Sequence, residues 1–190
     1  MIILCGCGSV GSKIALELSS LDNEWILIDD DEIEPENVPV SAYLHDQIGQ
    51  TKVIALAELL WRKNRVIAKP YSKTLSRNVH QIFPDGLVIE SFDNPAARLL
   101  TINPFKHADH PVIHIGVDLG EVGSVVWDVH YRLPEIDFNR GNNPVCTRQA
   151  GANIIRFTVT IAVYAISQYL SNVVKNSYFI NNGMIVRMNK

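Results

Sequence analysis

The chain has 190 residues, 47% of them hydrophobic, and a formal net charge of −3, enough apolar material for one domain with a real core and no basic field for a nucleic-acid backbone. The first apolar run stops after Leu4, which predicts no secretory leader, and the long apolar stretch 154–170 is broken by Arg156, Thr158, Thr160, Ser167 and Gln168, so no membrane span is expected. Three cysteines do not make a disulfide framework, and the expected setting is a reducing cytoplasm.

Residues 1–5 form a buried strand that feeds the run Gly6-Cys7-Gly8-Ser9-Val10-Gly11 and then a helix over 12–21. The spacing of Gly6, Gly8 and Gly11 fits the loop in which the first glycine turns tightly, the second admits a phosphate close to the backbone and the third lets helix pack on strand. Free amides at the helix start would face an anion. A second strand over 24–29 ends at Asp29, near the offset at which such folds place an acid on a ribose. An acidic loop, 30–36, leads to a helix over 51–63 with Val53, Leu56, Ala57 and Leu60 on one face. Strands are expected at 65–71 and 87–91, with a short helix at 78–83 between them. The second of these strands stops at Phe92-Asp93-Asn94, and a helix begins near Pro95.

The second half changes character. A strand over 111–116 is followed by an antiparallel partner over 122–131, in which Val126, Asp128 and His130 alternate. A loop over 133–152 contains Cys146, and connections that long are usually functional. A helix over 154–170 and a hairpin turning at Asn181-Asn182-Gly183 close the chain. Strands alternating with helices predict an α/β, Rossmann-like doubly wound fold, mainly parallel, with antiparallel strands in the C-terminal half. Residues 1–190 are expected to form a single nucleotide-binding domain.

The series Gly6-Cys7-Gly8-Ser9-Val10-Gly11-Ser12, Ile28-Asp29-Asp30-Asp31 running on to Asn37, Gly49-Gln50-Thr51-Lys52, and Asp93-Asn94 after an apolar strand resembles the ThiF/MoeB family of ubiquitin-activating-like adenylyltransferases. The resemblance covers about the first 130 residues, and Cys146-Thr147-Arg148-Gln149-Ala150-Gly151 is similar too. It implies ATP-dependent activation of the C-terminal carboxylate of a ubiquitin-like or sulfur-carrier protein, as acyl-adenylate with release of pyrophosphate. It also implies a homodimer, with the last helix and hairpin available as its interface. Asp29 would hold the ribose hydroxyls, Asn37 and Lys52 the phosphates, and Asp93 a Mg²⁺ ion with Asn94 beside it; Asp31 matches a family position. Val40 stands where the family usually has a phosphate-gripping arginine. The chain also opens directly at a strand, without the leading helix by which many relatives lend an arginine to their neighbour. Both departures imply less charge where pyrophosphate leaves. Paired Cys-x-x-Cys motifs are absent, and no zinc is expected.

Each residue also has a plainer role open to it. Asp29 could be a solvated strand-end acid, Lys52 a surface lysine in a first helical turn, and Asp93 the cap of the helix at Pro95. Asp31, Glu32, Glu34 and Glu36 could form a solvated loop. Cys5 and Cys7 are expected as small buried residues, whereas Cys146, with Arg148 near it, is either an acceptor of the activated carboxyl or an ordinary loop cysteine. The six histidines lack metal-ligand spacing. Two further functions stay open: a ThiF-like binding or regulatory module without catalysis, and an NAD(P)-dependent oxidoreductase.

Overall fold

The apolar runs of the sequence become the middle strands of one twisted sheet. In the computed structural model, which describes residues 1–21, 24–73, 85–107, 110–118, 122–132, 149–181 and 184–188, β1 (Ile2–Cys5), β2 (Trp25–Ile28) and β4 (Leu87–Glu90) are buried on both faces. That is the condition for an all-apolar parallel strand. With β3 (Ala68–Tyr71), β5 (Val112–Asp118), β6 (Val122–Trp127), β7 (Ser177–Asn181) and β8 (Met184–Met188) the described strands take the order β3-β2-β1-β4-β5-β6-β7-β8. The pairs from β3 to β5 are parallel and those from β5 to β8 antiparallel.

Helices α1 (Gly11–Leu18), α2 (Lys52–Asn64) and α4 (Gln149–Asn172) cover one face, where Ile14, Leu18, Leu56, Leu60, Ile155 and Ile166 are buried against Leu4, Leu27, Ile89 and Ile113. Helix α3 (Pro95–His107) lies on the other, with Phe105 fully buried against Ile3, Ile28 and Val88. The strand order changes direction between β1 and β4, so the loops after β1 and β4 leave the sheet on opposite sides of a crevice. Ligands of open α/β sheets bind at such a point. Helix α4 has the length and mean hydropathy (1.3) of a membrane span, yet its Ile155, Ala162, Ala165 and Ile166 are buried in the core it shares with α1, β5 and β6.

Several boundaries differ from expectation for local reasons. Helix α1 ends at Leu18, where the Ser19 hydroxyl donates to the Leu16 carbonyl. Arg65 does not begin a strand: it adopts a left-handed conformation (φ 59°) that caps α2, its amide donating to the Trp61 carbonyl. Strand β6 stops at Trp127 instead of running to Tyr131, because the amides of His130 and Tyr131 both fold back onto the Trp127 carbonyl. Helix α4 starts earlier than expected, at Gln149. The expected helix at 78–83, the loop 133–148 with Cys146 and Arg148, and the turn residues Asn182 and Gly183 lie outside the described residues.

Candidate functional site

The three glycines of the first loop meet three different demands. Gly6 has φ +92°, and a Cβ there would stand 2.8 Å from the Ser91 carbonyl carbon. A Cβ on Gly11 would stand 2.0 Å from the Gly6 carbonyl oxygen, so the first turn of α1 closes directly on the loop. Around Gly8 a Cβ would meet nothing within 4 Å, leaving its backbone open to an approaching group. Ser91, the first residue after the neighbouring strand β4, locks the turn by donating its hydroxyl to the Gly6 carbonyl (2.8 Å), and Tyr43 donates to the Cys7 carbonyl. Among the described residues no side chain caps α1 and no acid lies in its first turn, so nothing within that turn offsets the positive end of the helix.

Asp29 is no solvated strand-end acid. It is 5% exposed, with Oδ2 accepting the Cys7 amide (2.6 Å) and Oδ1 the Asp31 amide (2.9 Å). The carboxylate is thereby oriented by the glycine loop, with lone pairs on both oxygens still able to accept hydroxyl donors. Burial pushes its pKa above the ordinary carboxylate value, and the charge of Lys52 and the two amides oppose this without reversing it. Lys52 is likewise not a surface lysine. It opens α2 with its side chain 11% exposed and its Nζ 2.6 Å from Asp31 Oδ2. Burial pulls its pKa down, but the charges of Asp29, Asp31 and Asp93 outweigh that and keep the ammonium protonated beyond the usual lysine range. Asp31 is mostly exposed and serves as the partner of Lys52; one carboxylate oxygen from each of Asp29, Asp30 and Asp31 lies within 4.8 Å of the other two.

Asp93 and Asn94 divide the work at the end of β4. Asn94 Oδ1 accepts the Ala97 amide (2.7 Å) and so caps α3, which releases the Asp93 carboxylate from that role. Asp93 is exposed, and its charge acts on both Lys52 and Arg98. Asn37 Oδ1 accepts the Glu34 amide (3.0 Å), leaving its Nδ2 as the donor side. Cys5 and Cys7 are buried, and burial pushes both thiols well up, so neither is a thiolate. Cys146 lies outside the described residues.

One constellation escaped the reading of the sequence. Glu90, fully buried, accepts from the Phe92 amide (2.8 Å) and from Arg98 Nη1 (3.0 Å), with His114 Nδ1 3.1 Å away. Arg98 also donates to the Ile115 carbonyl and the Tyr131 hydroxyl, and Tyr131 stacks on His114 with ring centroids 3.8 Å apart. This brace fixes the short turn that carries Asp93. Its signal was a charged residue closing an otherwise apolar strand, eight positions before an arginine on the next helix.

The parallel half-sheet, its reversal of strand order and the glycine loop at that reversal define a Rossmann-like domain. The chain belongs to the ThiF family, whose model matches residues 1–182. Among solved structures, E. coli MccB with ATP is similar at 18% identity and a TM-score of 0.77 over 99% of this chain, and E. coli MccB with selenomethionine MccA at 16% and 0.80. Selenomethionine PaaA is similar at 19% identity and a TM-score of 0.76 over 100% of this chain and 71% of its own. The chain spans 62% of the length of those MccB chains. No curated protein matches the sequence.

Proposed function

We propose that residues 1–190 form a single domain that binds ATP across the glycine loop and adenylates the terminal carboxylate of a ubiquitin-like or sulfur-carrier protein. The observation that supports this reading is that Asp29, bonded to the loop at the Cys7 amide, and Asp93, exposed after β4, both act on the charge of the buried Lys52: an oriented acceptor, a buried cation and an exposed carboxylate. A dinucleotide enzyme has use for the first alone. MccB, a fold neighbour, was solved with ATP and with MccA, which supports ATP as the nucleotide and a separate partner beside it.

In this reading Asp29 accepts the ribose hydroxyls, the α1 amides and the Asn37 Nδ2 donate to phosphate oxygens, and Lys52 exchanges Asp31 for a phosphate. Asp31 lies at the edge of the same site, and Asn94 holds the turn that presents Asp93. An oxygen of the carrier's carboxylate attacks the α-phosphorus, the bond to the β-phosphate oxygen breaks, and pyrophosphate leaves with the electron pair. Catalysis then rests on alignment and on charge placed where the leaving group develops it. Asp93 is a hard oxygen donor not consumed by the helix cap, so its chemistry fits a Mg²⁺ ion shared with phosphates, which when bound would neutralise part of their charge. Cys146 is the candidate acceptor should the acyl group move on to a thiol.

A homodimer in the cytoplasm completes the proposal. Phe157 and Tyr164 on α4 and Phe179, Met184, Ile185 and Val186 on the β7–β8 hairpin are exposed apolar side chains, and β8 is the sheet's edge among the described strands. Phe179 and Val186 pair in register across the hairpin, and a second copy paired along the β8 edge would cover the hairpin's apolar side chains. The absence of an arginine at Val40 favours one other reading, a module that binds nucleotide without turnover. Calorimetry with ATP·Mg²⁺ and with NADH tests the nucleotide assignment: ATP binding that weakens in Lys52→Ala and Asp93→Ala is expected, and NADH binding without ATP binding would refute it.

A further inference from the structure

We infer that Tyr43 is a positioning residue of the phosphate loop: its hydroxyl holds the Cys7–Gly8 peptide so that the Gly8 amide, and not the Cys7 carbonyl, meets the nucleotide's phosphates. This role rests on the ATP reading and adds what keeps the loop set for an anion. Two peptide groups lie between Gly6 and Gly8. The Gly6–Cys7 group is bonded at both ends, its carbonyl accepting from Ser91 Oγ (2.8 Å) and its amide donating to Asp29 Oδ2 (2.6 Å). The Cys7–Gly8 group is held by its carbonyl, which accepts from the Tyr43 hydroxyl. The described peptides are trans, and in a planar trans peptide the N–H points opposite to the C=O. The Gly8 N–H therefore faces away from Tyr43.

Without that bond this peptide is the one best able to turn over. Gly8 tolerates either sign of φ, and nothing lies within 4 Å of where its Cβ would stand. Turned over, the group would present a carbonyl oxygen to an incoming phosphate in place of a donor, exchanging a charge-assisted hydrogen bond for repulsion. Tyr43 is built to prevent this. It is 3% exposed, its ring belongs to the core that holds Cys7, Val10 and Val53, and burial pushes the pKa of its phenol well up, so it stays a donor. Its backbone is anchored as well, since the Tyr43 amide donates to Ser41 Oγ (3.3 Å) and the Ala42 amide to Ser12 Oγ (3.1 Å) on α1. The hydroxyl oxygen also lies 3.3 Å from the Lys52 carbonyl. One side chain thus ties the loop to the first residue of α2, whose ammonium is the buried cation of the site. A phenylalanine would fill the same core; the hydroxyl is what reaches the two carbonyls.

The test compares wild type, Tyr43→Phe and Ser19→Ala by thermal unfolding, by calorimetry with ATP·Mg²⁺ and by the NMR signal of the Gly8 amide. Ser19, 2% exposed at the far end of α1, donates to the Leu16 carbonyl and accepts from the Asn64 amide, so its loss controls for a buried hydroxyl removed away from the site. Both variants should unfold roughly 2–4 °C lower. Tyr43→Phe alone should bind ATP about tenfold more weakly, the loss of one bond to a charged acceptor. In wild type the Gly8 amide signal should shift on saturation with ATP·Mg²⁺, and in Tyr43→Phe that shift should be lost. Wild-type ATP affinity in Tyr43→Phe, or equal losses of affinity in the two variants, would overturn this role while leaving the nucleotide site standing. A Gly8 signal that does not move when wild type is saturated would do the same, and that measurement needs no variant to fold. Failure of wild type to bind ATP at all would overturn both.

Discussion

Gly8 and Gly11 lie three residues apart in one loop, and alanine at each should have opposite consequences. At Gly11 the new Cβ would stand 2.0 Å from the Gly6 carbonyl oxygen and 2.6 Å from Ser91 Oγ, against a limit near 3.0 Å for real contacts. The first obstacle is backbone, so α1 and the loop must separate by roughly an ångström, at the upper end of the ~1–3 kcal/mol that overpacking costs. For a domain of this size ~3 kcal/mol lowers the melting temperature by roughly 6–12 °C. At Gly8 nothing lies within 4 Å of a Cβ and the backbone φ is not positive, so Gly8→Ala should change stability by no more than about 0.5 kcal/mol. The methyl group would nonetheless occupy the space through which a phosphate reaches the loop amides, and ATP affinity should fall by at least about tenfold, the loss expected from one charge-assisted bond. Urea unfolding and calorimetry on the two variants read the two effects separately. Wild-type ATP affinity in Gly8→Ala would refute the loop as the phosphate site, and wild-type stability in Gly11→Ala would refute the packing described here.

Other expectations follow from the same geometry. Arg98→Met leaves the buried Glu90 carboxylate without its arginine and should destabilise the fold by about 3 kcal/mol, with loss of ATP·Mg²⁺ binding under conditions where the variant is folded, because the Asp93 turn loses its brace; chemical denaturation and calorimetry check both. Asn94→Ala removes the cap of α3 and should cost about 1 kcal/mol, whereas Asp93→Asn should leave stability within about 0.5 kcal/mol and lower pyrophosphate exchange. Burial raises the pKa of Asp29 above 3.8, so its carboxylate takes up a proton at a higher pH than an ordinary aspartate. ATP affinity should therefore fall on acidification with a midpoint above that value, and calorimetry across the acid range would contradict the assignment if the midpoint lay at or below it.

What could be read from the sequence was what local chemistry fixes. The glycine spacing, the strand ending at Asp29 and the break at Phe92-Asp93-Asn94 are short-range signals, and the parallel half of the sheet follows from them. The burial of Asp29 and Lys52 was harder to see, since it depends on the long-range pairing of Asp29 with the Cys7 amide and of Lys52 with Asp31. The choice of Asn94 over Asp93 as the cap of α3 turns on which carboxyl or amide oxygen reaches the Ala97 amide, a matter of a single residue that composition does not decide. Asp128 and His130 alternate like strand residues, but the carbonyl of Trp127 takes the amides that would have continued the ladder. The Glu90–Arg98–His114–Tyr131 brace joins three elements, and no periodicity within any one of them reveals it.

The central claim is that this site makes an acyl-adenylate. Its most direct test is carrier-dependent exchange of labelled pyrophosphate into ATP, with Mg²⁺ and a panel of ubiquitin-like and sulfur-carrier proteins. Exchange that requires a carrier with its C-terminal carboxylate intact, and that falls in Lys52→Ala and Asp93→Ala, is the predicted result; ATP binding with no exchange for any carrier would contradict it and leave a nucleotide-binding module.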